Sequence, residues 1–342
     1  MIRSALIVVL LGACGGGTKP VPVALPPDKP TEPVAQPKEE PAQPKPDPQP
    51  ETPKGPVDVG IPGVDSQVKL VKAGAGKKGV LKYAPKAGDK QSVELALDYT
   101  EKDTQGTESR EQTVPTVVLQ GDVVTNAVGA DGKADYVLTV TGTDAREVKE
   151  SQIKPEQMKV ALATLAGVTF TGSTGANGAA GEIKVHIEKV DAMLMQALEL
   201  VRLTLPRWPM LPAEPVGVGA KWQSVTNIKL GGKFDVTETT DYELTAHKGK
   251  TWTIKGTTKL SGPNVDVEDA TVSDIGGSGT TEATITDGML YPAFKTQTQT
   301  QFTAKEKVKA GETPKTATFS FRVGGAVTPA AATPVTPAPA KK

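Results

Sequence analysis

Through the middle of the chain, apolar and polar residues alternate with period two. Val93, Leu95, Leu97 and Tyr99 alternate with Glu94, Ala96, Asp98 and Thr100. Ile183, Val185 and Ile187 alternate with Lys184, His186 and Glu188, and Phe319, Phe321 and Val323 alternate with Thr318, Ser320 and Arg322. Such alternation gives each segment one apolar face and predicts half-buried antiparallel strands. Asp131-Gly132, Lys248-Gly249 and Asp287-Gly288 read as turns between such runs. From Phe294 to Phe302, Thr occupies one face and Lys or Gln the other. That pattern predicts a strand with weakly buried flanks, either at an edge or along one wall of a wet cavity.

Two segments change period. Pro155 to Ala166 places Met158, Ala161, Leu162 and Leu165 at helical spacing, with Pro155 in the first turn. Asp191 to Leu205 predicts a second helix, with Asp191 as cap. Its apolar residues run nearly all round: Met193, Leu194, Met195, Leu198, Leu200, Val201, Leu203 and Leu205. A helix of that kind is buried on most sides, and Pro206-Arg207-Trp208-Pro209 ends it. The expected fold class is mainly β with two helices (α+β). It is either one antiparallel curved sheet over residues 64–325 or two β-rich halves, 64–190 and 215–325, around the helix at 191–205. Ala87-Gly88-Asp89-Lys90-Gln91-Ser92-Val93 resembles Gly219-Ala220-Lys221-Trp222-Gln223-Ser224-Val225, a hint of internal duplication.

Outside that body the patterning disappears. Residues 18–63 repeat Pro with Lys, Glu, Asp and Gln, which cannot bury apolar surface and favours extended polyproline II. At about 3.1 Å per residue, roughly 45 residues reach on the order of 140 Å. Residues 14–63 are therefore expected to be a disordered spacer, and 326–342, rich in Pro, Thr and Ala, a disordered tail.

The amino terminus has Arg3, then the apolar run from Ala5 to Leu11, then Gly12, Ala13 and Cys14. The run is too short to span a bilayer and has the form of a secretory signal. Leu11-Gly12-Ala13-Cys14 resembles the bacterial lipobox. The resemblance implies that residues 1–13 are removed, that Cys14 carries a diacylglyceryl group, and that the new amino terminus is acylated. Two or more acyl chains give stable attachment to a membrane. Gly15 follows the Cys, and the absence of Asp there implies outer-membrane sorting. Cys14 is the only cysteine, so an internal disulfide is excluded.

Formal charge is balanced, 39 basic against 39 acidic residues, which removes the electrostatic footprint expected for nucleic-acid binding. The two histidines, His186 and His247, sit on a polar strand face and before a turn, and neither has zinc-ligand spacing around it. Gly74-Ala75-Gly76-Lys77-Lys78-Gly79 has the letters of a dinucleotide fingerprint, but a strand follows where a helix is needed, so a flexible loop is expected. Asp266, Glu268, Asp269 and Asp274 lack the spacing of a calcium loop and read as a solvated face. No cofactor, metal or catalytic constellation is expected.

The remaining candidate is apolar binding. Met193, Leu194, Met195 and Leu198, with Leu205, Trp208 and Met210, form either a core helix or the lining of a hydrophobic-ligand pocket. A curved antiparallel sheet covered by helices resembles the half-barrel of periplasmic lipoprotein carriers, and the body is similar in style to envelope lipoproteins of Gram-negative bacteria. Together these readings lead to the expectation of a non-enzymatic envelope lipoprotein, held to a membrane through Cys14. It would either bind a lipid or other apolar small molecule or serve as an interaction module displayed on its spacer.

Overall fold

The computed structural model describes residues 56–190, 192–204, 208–230, 234–267, 270–308 and 311–329. Residues 1–13, Cys14, the spacer up to residue 55, the cap Asp191, Leu205 and the tail from residue 330 lie outside the described residues.

The amino-terminal strands are β1 (Val57–Ile61), β2 (Ser66–Lys72), β3 (Ala75–Gly79), β4 (Lys90–Gln105), β5 (Glu108–Thr113), β6 (Thr116–Val128) and β7 (Ala134–Arg146). Helix α1 (Pro155–Leu162), a short 3-10 turn (Ala163–Leu165), β8 (Thr169–Thr174), β9 (Ile183–Ile187) and α2 (Ala192–Thr204) follow. The carboxyl-terminal strands are β10 (Val216–Val218), β11 (Lys221–Leu230), β12 (Phe234–Lys248), β13 (Thr251–Ser261), β14 (Val265–Val267), β15 (Ala270–Thr286), β16 (Ala293–Glu306) and β17 (Thr316–Pro329).

The two halves expected from the sequence form one continuous antiparallel sheet. Its order is β1-β9-β8-β7-β6-β4-β17-β16-β15-β13-β12-β11-β2, with β5 beside β4 and β14 beside β15, and β3 and β10 make a separate pair. The junction of the halves is the β4–β17 ladder, which runs from Val93–Pro329 to Gln105–Ala317.

The order of the strands requires the sheet to curl. β1 and β2 are its opposite edges, yet only residues 62–65 separate them in the chain. Thirteen strands laid flat, at about 4.8 Å per spacing, would put the edges roughly 58 Å apart. The connecting backbone spans at most about 18 Å. The sheet therefore rolls into an open cylinder with β1 and β2 flanking a seam. Four irregular segments meet there, three of them tied by main chain to the β8–β9 link. Val64 N–H donates to Ala180 O (3.2 Å), Tyr83 N–H to Ala176 O (2.8 Å) and Leu211 N–H to Asn177 O (2.9 Å).

Both helices form where their spacing predicts. Pro155 opens α1, and the Lys154 N–H donates to Gln157 Oε1 at 3.1 Å, satisfying one donor of the helix start. α2 packs on α1, the 3-10 turn, β4 and β17. The turn glycines Gly132, Gly249 and Gly288 all have positive φ, as their turns require.

Three expectations are corrected. Strand β1 begins at Val57, inside the tract read as spacer, because Val57, Val59 and Ile61 face β9 in register with Ile187, Val185 and Ile183. Strand β17 continues past Gly325 to Pro329, with Val327 buried, so the tail begins later than residue 326. The Gly74–Gly79 stretch is not a flexible loop. Residues from Ala75 onward pair with β10, and the backbones pass so closely at Gly74 and Gly217 that a Cβ on either would overlap main chain.

Candidate functional site

The antiparallel ladders carry residues from strand to strand, so the inward rows can be followed around the cylinder. One row reads Ser224, Thr240, Thr258, Gly279, Thr298, Val323 and Tyr99 across β11, β12, β13, β15, β16, β17 and β4. The row on one side reads Trp222, Tyr242, Gly256, Thr281, Thr296, Gly325 and Leu97. The row on the other side reads Thr226, Glu238, Leu260, Gly277, Thr300, Phe321 and Glu101. Side chains on one strand face alternate strictly, so all three rows point into the cylinder.

These rows form a polar belt between two apolar clusters. At one end lie Trp222, Leu244, Trp252, Ile254, Ile285 and Phe294, continuous with the core around the helices. At the other end Phe234, Val236, Val272, Phe302 and Phe319 form a second cluster. Within the belt the hydroxyls pair partly with one another. Thr240 and Thr258 lie 2.9 Å apart across β12 and β13, and Ser66 and Thr226 are 2.8 Å apart across β2 and β11.

The belt lines a partly open cavity of about 180 Å³. Belt residues Ser224, Thr226, Thr240, Thr258, Thr298 and Thr300 form one wall. The seam segments form the other, through Val64, Ser66, Gly178, Ala180, Trp208 and Met210. Gly325 also lines the cavity, whereas at Gly277 and Gly279 the backbone of β16 passes so close that a Cβ would run into Gln299 O and Gln297 O.

The stretch 208–211 is held firmly as that wall. The Tyr83 hydroxyl donates to Pro209 O (3.0 Å), and the Trp222 indole N–H donates to Met210 O (2.7 Å). The ring of Trp208 meets Tyr136 and Tyr291 edge-on, at centroid distances of 5.7 and 5.0 Å. Burial pushes the phenols of Tyr136 and Tyr242 up to about 12, so both stay protonated hydrogen-bonding groups at neutral pH. Trp208 is itself only 6% exposed, and its Nε1 is the one buried side-chain polar atom among the described residues with no hydrogen-bond partner.

The residues expected to line a hydrophobic pocket divide into two groups. Trp208 and Met210 line the cavity. Leu194 and Leu198 are buried in the main core with Ala197 and Val201, Met195 packs against that core, and Met193 lies on the surface, 43% exposed. α2 therefore belongs to the packed core and does not contribute to the cavity wall.

The belt itself was missed, although part of its signal was present: Gly256 and Thr258 in β13, Gly277, Gly279 and Thr281 in β15, and Thr296, Thr298 and Thr300 in β16 lie at alternate positions, while β12 adds Thr240 alone. The wet-wall reading of Phe294–Phe302 identified one strand of it, since Thr296, Thr298 and Thr300 line the cavity and β16 is a central strand. Glu101 was missed as well. It faces inward on β4, accepts a hydrogen bond from the Tyr99 hydroxyl (3.2 Å), and burial raises its pKa above the ordinary carboxylate value.

The histidines lie outside the site. His186 is exposed between Asp58 (2.8 Å) and Glu188 (3.2 Å), and His247 stacks on Trp252. Asp266 accepts a hydrogen bond from the Thr271 hydroxyl (2.6 Å), and no group of metal-ligating side chains occurs among the described residues.

The outward rows are strongly polar. β16 exposes Lys295, Gln297, Gln299 and Gln301, β13 exposes Lys255 and Lys259, and β4 exposes Asp98 and Lys102. Ion pairs cross this surface, Arg146–Glu94 at 2.6 Å and Lys255–Glu282 at 3.0 Å. No described helix is long and apolar enough to cross a membrane.

A family of unknown function (DUF6263) matches residues 208–288. That stretch contains Trp208, Met210 and the belt residues of β11, β12, β13 and β15. No curated protein matches the chain. Among solved structures, it is similar to the crystal structure of the outer membrane protein OprG from Pseudomonas aeruginosa, at 8% identity, covering 72% of this chain and 98% of that one, with a TM-score of 0.19. A score that low is below the level of a shared fold.

Proposed function

We propose that the chain is a non-enzymatic envelope lipoprotein that holds a small molecule inside its curled sheet. Cys14 is the lipid anchor, the Pro-rich tract is the spacer, and the body stands in water beside the membrane, with Gly15 favouring the outer membrane. The observation that carries the binding reading is the cavity, where hydroxyls from successive strands converge on one partly open space against a wall that includes Trp208 and Met210. Convergent polar groups in an otherwise apolar enclosure are the usual form of a small-molecule site.

The polar outer face supports the tethered arrangement. A membrane-spanning barrel faces lipid with an apolar band, and each Lys or Arg at mid-depth costs about 2–4 kcal/mol. Rows bearing Lys255, Lys259, Lys295 and Lys102 suit water. Contact with the membrane is then left to the acylated terminus.

Replacing Cys14 by Ser tests the anchor. The variant should leave the membrane fraction and lose labelling by a radioactive or clickable fatty acid. Unchanged partitioning and unchanged label would overturn the anchor.

A further inference from the structure

Resting on the reading of the cavity as a binding site, we infer that its ligand is an uncharged, hydrogen-bond-rich molecule of about monosaccharide size, docked against Trp208.

Charge is the first constraint. Among the residues that line the cavity, Glu238 is the one ionisable acid and there is no Lys, Arg or His. An anion such as a fatty acid or a phosphate head group would lose much of its hydration on entering, with no cation in the lining to replace it, which is costly. Shape is the second constraint. An acyl chain needs a continuous apolar channel, and here the apolar clusters at the two ends are separated by the threonine belt.

The lining is well matched to hydroxyl or amide groups. Each Thr or Ser hydroxyl can donate once and accept twice, so a ring of them satisfies both roles of a polyol. Trp208, Met210 and Tyr242 offer apolar surface for a ring face. The volume corresponds to roughly six waters at bulk density, a space a single sugar-sized ring can occupy.

Trp208 contributes its ring to the wall. Its indole N–H is shut away in packed protein beside Tyr136 and Tyr291 and is not presented to the cavity, so the groups that meet a ligand's oxygens are the hydroxyls of Ser224, Thr226, Thr240, Thr258, Thr298 and Thr300.

The test uses the full-length chain carrying C14S, so that no acyl group competes. Isothermal titration is run with N-acetylglucosamine, glucose and myo-inositol, and separately with laurate and N-phenyl-1-naphthylamine. At least one neutral polyol should bind. W208F, which keeps an aromatic ring but shrinks the face it offers, should weaken it about threefold. The double variant T240V/T258V should weaken it about tenfold while the circular dichroism and melting curve are kept.

Binding of laurate or the naphthylamine in place of the polyols, unaffected by W208F, overturns the ligand class and leaves the cavity reading standing. If no probe of either class binds, the cavity reading itself falls. If a polyol binds with unchanged affinity in both W208F and T240V/T258V, the assignment to this cavity falls.

Discussion

Strands β4 and β6–β9 and strands β11–β17 show the same period-two alternation, but their inward rows differ. On the first set Val93, Leu95, Leu97, Val117, Leu119, Leu138, Val140 and Phe170 face a core that the 3-10 turn and α2 fill with Leu165, Leu194, Leu198 and Val201. On the second set Ser, Thr and Gly predominate in the middle of the inward face, and a cavity remains. Packed interiors have crystal-like density, and a row of Leu fills its space as a row of Thr and Gly does not. Alternation therefore establishes that a strand has two faces. The chemistry of the inner face decides whether that face becomes core or site.

The largest effect is expected from opening the filled region. Leu97→Ala, at a residue 1% exposed, should lower stability by about 2–5 kcal/mol, measured by urea unfolding. A loss under 1 kcal/mol would show that this half is also loosely packed and would remove the contrast. Next comes the seam. Gly178 has φ of +90°, and a Cβ there would sit 2.7 Å from Pro209 O. Gly178→Ala should cost about 1–3 kcal/mol and displace the Trp208 segment, visible as a shift in tryptophan emission.

The belt should respond differently from the core. Thr240→Val alone leaves the Thr258 hydroxyl without its partner and should cost about 1 kcal/mol. T240V/T258V together should be nearly neutral, because both polar groups go and the shape is kept. Equal costs for single and double variants in thermal melts would mean the two hydroxyls are not coupled.

The smallest effect is electrostatic. Hydrogen bonding to Asp58, and then to Glu188, raises the His186 pKa above its ordinary 6.5. The folded state thus favours the imidazolium. Its contribution is complete below pH 6.5 and is lost as pH rises through the raised value. The site is exposed, so the change in stability is small. Titration followed by NMR should place the midpoint above 6.5, and Asp58→Asn should bring it back down. A wild-type midpoint at or below 6.5 would mean that the ring does not hold this pair in solution.

Much of this was legible in the sequence. The strand faces at Val93–Thr100, Ile183–Glu188 and Thr318–Val323, both helices and the Asp-Gly and Lys-Gly turns all follow from local period and local backbone preference. Strand order did not follow, because no local signal says that Tyr99 pairs with Val323 or that β1 and β2 part to opposite edges.

The apparent repeat shows how register governs the outcome. Aligning Gln91-Ser92-Val93 with Gln223-Ser224-Val225 puts Val93 inward and Val225 outward, since Ser224 is the buried residue of its pair. Aligning Gly88 and Lys90 with Gly219 and Lys221 keeps the faces matched. A slip of one residue exchanges them. The unpaired indole of Trp208 also had no sequence signature, because it depends on segments far apart in the chain.

The placement of β1 and β2 at opposite edges also fixes an order of assembly. Val57 pairs with Ile187, Gln67 with Val225, and Val93 with Pro329. The first strands to be synthesised are thus among those that wait longest for their neighbours. Non-local ladders of this kind fold slowly, since the chain must close long loops before the contacts form. The seam closes late, and the wall of the cavity with it. Until the carboxyl-terminal strands arrive, the amino-terminal ones present unpaired edges, the state in which a β-rich chain is most exposed to wrong partners.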